Sequence, residues 1–203
     1  MNDSKALTAI HYFVDTKPKK VFKKAKKLGY DTNYLSRGVA HFSKDDKHIV
    51  SIKGTDPLNI DDIKSDVDIA LGTTAYDKQF NNRQYEVKKI IKKLPKDQNI
   101  TLTGHSLGGS IATSILTKAP AIRARTDKAH LFNTGYTKPF HKELKKNITS
   151  DERKDLKTKI LHHIIENDIV SAGLQPGSIG TVKTYEAPTD TNLYERHSLD
   201  AFD

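Results

Sequence analysis

Apolar positions along this chain gather in short periodic stretches separated by lysine-rich ones, and the periods predict its elements. Leu7, Ile10, His11 and Val14 recur at helical spacing before Asp15-Thr16-Lys17-Pro18 breaks the run, so the N-terminus reads as two helices, the second starting at Pro18. That second helix would carry Val21, Phe22, Ala25 and Leu28 on one face and Lys19, Lys20, Lys23, Lys24, Lys26 and Lys27 elsewhere, closing at Gly29. Val39 to Ser43 and His48 to Lys53 flank the polar Lys44-Asp45-Asp46-Lys47 and predict a hairpin that ends at Gly54-Thr55-Asp56-Pro57. Asn59 to Gly72 is acidic and predicts no more than a helical turn and a loop. Phe80, Arg83, Val87, Ile90, Ile91 and Leu94 then predict a helix stopping at Pro95. Ile100 to Thr103 reads as a strand, Ser110, Ile111, Ala112, Ile115 and Leu116 as the helix after it, and Lys128 to Phe132 as another strand. The charged stretch from Tyr136 to Lys159 predicts a surface helical excursion, Lys159 to Ile165 a buried strand, and Thr181 to Glu186 the final strand.

Strands alternating with helices are the α/β pattern, a mostly parallel sheet flanked by helices. At 203 residues the chain is long enough for one domain with a substantial core. The expected division is a helical N-terminal extension over 1–37 and a core over 38–203.

Charge changes the picture at the surface. Lys plus Arg number 34 against 25 Asp plus Glu, a net charge of +9, so the surface attracts polyanions such as nucleic acid or anionic lipid headgroups. The lysine-rich helix from Pro18 could lie on an anionic membrane or could simply pack one face and solvate the other. The chain has no cysteine, which excludes disulfides, thiolate zinc sites and cysteine nucleophiles. No apolar run is long enough to span a bilayer, and Met1-Asn2-Asp3-Ser4-Lys5 lacks a signal-peptide layout, so a soluble, unprocessed protein is expected.

Candidate chemistry centres on Thr103-Gly104-His105-Ser106-Leu107-Gly108-Gly109, which follows the Ile100 strand and opens a helix. A serine that attacks a carbonyl stands on a tight strand-to-helix turn, where the residues two places either side approach so closely that glycine is required. Gly104 and Gly108 occupy those places. The N–H groups of the helix start, Leu107 first, face the same space and can hold developing negative charge. Such a serine needs an imidazole to take its proton and a carboxylate to orient the imidazole. Of the nine histidines, His130, His141, His162, His163 and His197 follow Ser106, and of these only His197 follows the final predicted strand. His162 and His163 are adjacent in a strand, point to opposite faces and read as packing residues. Asp168 sits just past the strand that ends at Ile165, with Glu166 as a rival acid.

Four separated stretches resemble the class 3 lipases, the family of fungal triacylglycerol lipases and their phospholipase and feruloyl esterase relatives. Ile49-Val50-Ser51-Ile52-Lys53-Gly54-Thr55 is similar to that family's strand ending in Arg-Gly-Thr or Arg-Gly-Ser, with lysine in place of arginine and Asp66 where an aspartate commonly follows. The elbow matches its Gly-His-Ser-Leu-Gly-Gly. Asn167-Asp168-Ile169-Val170 resembles the segment around the catalytic aspartate, and Tyr194-Glu195-Arg196-His197-Ser198 the one around the catalytic histidine. The resemblance runs from about Val39 to Phe202 and implies an α/β-hydrolase fold. It also implies Ser106 as nucleophile, Asp168 as orienter, His197 as base, and Thr55 with the N–H of Leu107 as oxyanion hole, with no metal or organic cofactor. The segment matching the family's lid is short, Ala70 to Tyr76, and the cysteines of secreted members are missing, which favours an intracellular or virus-encoded relative.

The expected function is therefore a serine carboxylic-ester hydrolase, a lipase or phospholipase acting on acyl lipids. The rivals are an esterase of small substrates and an idle hydrolase fold used as a basic binding module. A Ser-Asp-His set complete with both oxyanion candidates argues against the binding module, and against nucleic acid as its partner.

Overall fold

A computed structural model describes residues 2–11, 17–54, 74–136, 138–146, 148–168, 170–171 and 178–202. Val14, Thr55, Asp66 and the stretch from Asn59 to Gly72, all singled out above, lie outside them. Among the described residues seven strands form one sheet whose spatial order equals their chain order: β1 (Asp31–Leu35), β2 (Val39–Lys44), β3 (Lys47–Ile52), β4 (Ile100–His105), β5 (Thr126–Phe132), β6 (Ile160–Ile165) and β7 (Thr181–Tyr185). The first two pairings are antiparallel, joined by tight connections, and β3 through β7 are parallel. Parallel neighbours need crossovers. Helix α3 (Thr74–Lys93) precedes β4, α4 (Leu107–Lys118) and α5 (Pro120–Arg125) lead to β5, and α6 (Lys138–Lys145) and α7 (Ser150–Lys159) lead to β6. At the N-terminus stand α1 (Asn2–His11) and α2 (Pro18–Lys27), and α8 (Leu193–His197) with a 3₁₀ turn Leu199–Phe202 closes the described chain. This is the α/β pattern expected from the alternation, in the α/β-hydrolase form that the motif resemblance implies.

Strand register sorts the apolar side chains into two cores. Val50 pairs with Leu102 and Leu102 with Ala129, so these point to one face, where Val87, Ile90 and Ile91 of α3 and Ile111, Ile115 and Leu116 of α4 cover them. Ala40, Phe42 and Ile49 point to the other and meet Leu7, Ile10, Val21 and Ala25 of α1 and α2. Over β3 and β4 the second interface turns polar: Thr8 Oγ1 lies 2.6 Å from Thr103 Oγ1, and His11 Nδ1 lies 3.2 Å from Ser51 Oγ.

Three expectations need correction, and one further element was not predicted. Residues 31–35 form an edge strand, not part of an all-helical extension; Asp31-Thr32-Asn33-Tyr34-Leu35 is exposed along most of its length, so no period-2 pattern announced it. Helix α5 was also unannounced, being six residues between two other elements. The charged excursion is fastened to the core, since Leu144 and Leu156 are fully buried and Thr149 with Glu152 forms a capping box for α7. Phe22 does not share the buried face: Val21 and Ala25, four apart, take the sheet, and Phe22 is 49 % exposed among the lysines.

Candidate active site

Strand β4 delivers Ser106 on a strained backbone, φ 53° and ψ −124°, a region that favours glycine. The turn is held in that shape. Ser106 N–H donates to Phe132 O at 3.0 Å, while its carbonyl accepts from the N–H groups of Gly109 at 3.0 Å and Gly135 at 3.2 Å. Ser110 Oγ donates back to Gly135 O, clasping α4 to the loop after β5. The two glycines are steric requirements: a Cβ on Gly104 would stand 2.6 Å from the Gly108 carbonyl carbon, and one on Gly108 would stand 2.0 Å from Ile52 O. Helix α4 therefore begins pressed against β3 and β4. The N–H of Leu107 is among the first-turn donors that a helix leaves without an intrahelical partner.

Past β6 the backbone turns through Asn167 at φ 60°, and Asp168 N–H donates to Ile165 O at 3.1 Å. The Asp168 carboxylate is fully buried and accepts from two sides: Ser171 N–H reaches Oδ2 at 2.8 Å, and His197 Nδ1 reaches Oδ1 at 2.9 Å. With Nδ1 donating to the carboxylate, the neutral imidazole presents Nε2 as an acceptor. That Nε2 is buried and has no hydrogen-bond partner among the described residues. Glu166, the rival acid, is exposed. The imidazole of His197 stacks at a tilt on His105, the residue before Ser106, with ring centroids 4.7 Å apart.

The other histidines are occupied in packing. His162 lies 3.0 Å from both Thr134 Oγ1 and Ile179 O, and burial pushes it down to about 4. His163 sits between His130 and Tyr185 and falls to about 3 through burial and then the His130 charge. Among the described residues no group of three His, Asp or Glu could hold a metal ion. A cavity of about 400 Å³ between β1–β3 and α3 lies at the far end of the sheet: His48 on its wall pairs with Ile100, the start of the strand that Ser106 follows.

Of the residues singled out from sequence, Asp168 and His197 are in contact, Ser106 stands on the elbow beside the His197 ring's neighbour, and Thr55 is outside the described residues. Two neighbours were missed as participants. His105 touches both the elbow and His197, and Asn133, just after β5, donates from Nδ2 to Arg196 O at 2.8 Å. Position alone hinted at them, one inside the motif and the other in a strand-end turn. On α3, Arg83 Nη1 donates to Lys53 O at 2.6 Å, fixing the end of β3.

Comparison with known families matches residues 25–192 to the Tle-like phospholipase domain, described as phospholipase-like. The chain belongs to the Tle-like phospholipase family. Membership supports lipid-ester hydrolysis as the general class of activity, in line with the resemblance of its four motifs to class 3 lipases. Among solved structures, this family member is similar to a lipase from Rhizopus microsporus var. chinensis (TM-score 0.59, 15 % identity, 92 % of this chain and 73 % of that one). It is also similar to lipase II from Rhizopus niveus (TM-score 0.52, 15 % identity, 83 % of this chain and 70 % of that one). At such identity these neighbours carry the fold. A search of curated protein sequences finds no match. No described helix is long and apolar enough to cross a membrane.

Proposed function

We propose that the chain is a serine hydrolase that cleaves carboxylic esters of acyl lipids through an acyl-enzyme. The observation that carries this reading is the His197 imidazole, bound through Nδ1 to a fully buried carboxylate and left with an unpartnered buried Nε2. An acceptor nitrogen in that state, on a ring stacked against the residue that precedes Ser106 on its strained elbow, is suited to take a hydroxyl proton. In this reading Ser106 Oγ attacks the ester carbonyl carbon as its proton passes to His197 Nε2. The carbonyl oxygen becomes an oxyanion held by the N–H of Leu107 and by Thr55. The imidazolium then protonates the departing alcohol oxygen as its bond to carbon breaks, leaving the acyl group on Ser106. Water repeats the sequence to release the fatty acid. Asp168 keeps the imidazole in the required tautomer throughout.

The substrate surface is part of the proposal. Lys19, Lys23, Lys26 and Lys27 on α2 are exposed around the half-exposed Phe22, and α2 carries no acidic residue. Cationic side chains round an aromatic suit a leaflet of anionic phospholipid. The deciding experiment is covalent labelling: a fluorophosphonate should modify the protein at Ser106 alone, and Ser106→Ala should abolish both labelling and turnover of p-nitrophenyl esters. Labelling at another serine overturns the assignment.

A further inference from the structure

Helix α8 is five residues long and ends at His197. The last carbonyls of a helix lack intrahelical donors, so the orientation of a side chain there depends on what holds those carbonyls. Two buried side chains from elsewhere in the fold do so, on consecutive residues. Asn133 Nδ2 donates to Arg196 O at 2.8 Å, and His105 Nε2 donates to His197 O at 2.6 Å. Asn133 is fully buried and His105 is 1 % exposed.

Each of the two also reaches another part of the site. Asn133 accepts at Oδ1 from Ile165 N–H at 3.0 Å, and its own N–H donates to His163 O at 2.8 Å. Ile165 O in turn takes the N–H of Asp168. One carboxamide therefore spans from the backbone carrying the acid to the backbone carrying the imidazole. Its left-handed backbone, φ 39°, is a conformation that asparagine tolerates better than most residues. His105 forms the second span, adjoining Ser106 in the chain and holding His197 through both its carbonyl and its ring face. A carbonyl can only accept, so His105 must carry its proton on Nε2.

We infer that Asn133 and His105 are positioning residues that set the His197 imidazole against Asp168 and Ser106, Asn133 fixing the distance to the acid and His105 the distance to the nucleophile. The inference rests on the roles proposed above for Ser106, Asp168 and His197. Neither residue needs to touch substrate. Burial pushes His105 down to about 3, so it stays a neutral donor wherever the enzyme is folded. A displacement of about 1 Å in a reacting group costs on the order of a hundredfold in rate, and loss of either donor permits a shift of that size.

The test uses the full chain, with rates expressed per fluorophosphonate-titrated site and folding followed by near-ultraviolet circular dichroism. His105→Phe keeps a ring of similar size without the donor, His105→Gln keeps a donor at a matching reach, and Asn133→Asp is isosteric but turns a carboxylate oxygen toward Arg196 O. His105→Phe and Asn133→Asp are expected to lose roughly ten- to a hundredfold in kcat for a soluble short-chain ester, with KM little changed. His105→Gln should recover most of the rate, a rescue that a ring acting only as packing would not allow. Wild-type kcat in folded His105→Phe and Asn133→Asp would overturn the inference while leaving the nucleophile assignment intact. Loss of folding at both positions, His105→Gln included, would also overturn it, because the two side chains would then be scaffold alone. Failure of wild-type labelling at Ser106 would instead remove the reading on which it stands.

Discussion

Ser106 can be asked to choose between stability and chemistry. Its φ of 53° with ψ of −124° lies where an L side chain is strained, and strain of that kind costs about 1–3 kcal/mol that the surrounding structure must offset. The offset is visible in the four backbone hydrogen bonds at Ser106 N and O and in the clasp of Ser110 on Gly135. Ser106→Ala removes the hydroxyl but keeps the Cβ, and so keeps the strain. Ser106→Gly removes both. At a position of positive φ a residue with a Cβ is less stable than glycine by more than the roughly 0.4–1 kcal/mol that glycine costs in unfolded-chain entropy. Ser106→Gly should therefore exceed Ser106→Ala by about 1 kcal/mol or more, which for a chain of this size is roughly 2–4 °C in Tm. Paired urea and thermal melts measure the difference, and both variants should be inactive toward p-nitrophenyl esters. A Ser106→Gly protein no more stable than Ser106→Ala would mean that the elbow carries no strain and that its geometry follows from packing alone.

Asp168→Asn should lower kcat by roughly 10⁴-fold through the wrong imidazole tautomer, whereas Glu166→Gln, on an exposed side chain, should stay near wild type; steady-state kinetics on one soluble ester compares them, and the reverse pattern would move the orienting role to Glu166. Acid should unfold the protein steeply. His105, His162 and His163 are buried and held down to about 3, 4 and 3 by desolvation, so the native state keeps them neutral while the unfolded chain protonates them near 6.5. Their contribution is present above about pH 6.5 and is lost as pH falls from there toward 4. The combined slope is roughly 4 kcal/mol per pH unit at about 1.4 each, and urea midpoints that stay flat from pH 6.5 to 5 would contradict it. Replacing Lys19, Lys23 and Lys27 by Gln should weaken binding to anionic vesicles about a hundredfold at low salt, from about 1 kcal/mol per lysine, with soluble-ester turnover unchanged. Equal vesicle binding in a sedimentation assay would reduce α2 to a packed helix with a solvated face.

How much of this was legible before any coordinates depended on the range of each interaction. The elbow was readable because its requirement is local: Gly104 and Gly108 flank Ser106 at fixed spacing, and the close approaches at both glycines follow from that short turn. That His197 and Asp168 meet could be expected from order alone, since both are polar residues following predicted strands. The partners that hold them could not be. His105 meets His197 across 92 residues and Asn133 meets Arg196 across 63, and no periodicity encodes such pairings. Edge strand β1 escaped because its residues are exposed or half-buried along the whole length, which leaves no apolar alternation to read. Phe22 beside Val21 suggests a shared apolar face, yet adjacent residues on a helix diverge by about 100°, and the packed side takes Val21, Ala25 and, partly, Leu28 while Phe22 turns outward.

On the proposed roles, the sheet gives a reason for the histidine, more than the serine or the aspartate, to need such partners. Ser106, Asn133 and Asp168 follow the ends of β4, β5 and β6, three consecutive parallel strands, and neighbouring strands lie about 4.8 Å apart, so the ladder itself brings these three positions together. His197 has no strand of its own. It arrives on a short helix after β7, where backbone pairing fixes nothing. What the ladder does for the serine and the acid has to be done for the imidazole by side chains, and those available are the ones already standing at the ends of β4 and β5. His105 and Asn133 stand there, and Phe202 adds an anchor from beyond α8 by packing edge-on against Phe132 and Tyr185 at 5.4 and 5.5 Å. If His197 is the base proposed above, its short, side-chain-tethered helix is the part of the site that sequence change elsewhere reaches most easily, because each tether is a single hydrogen bond or ring contact and not a ladder.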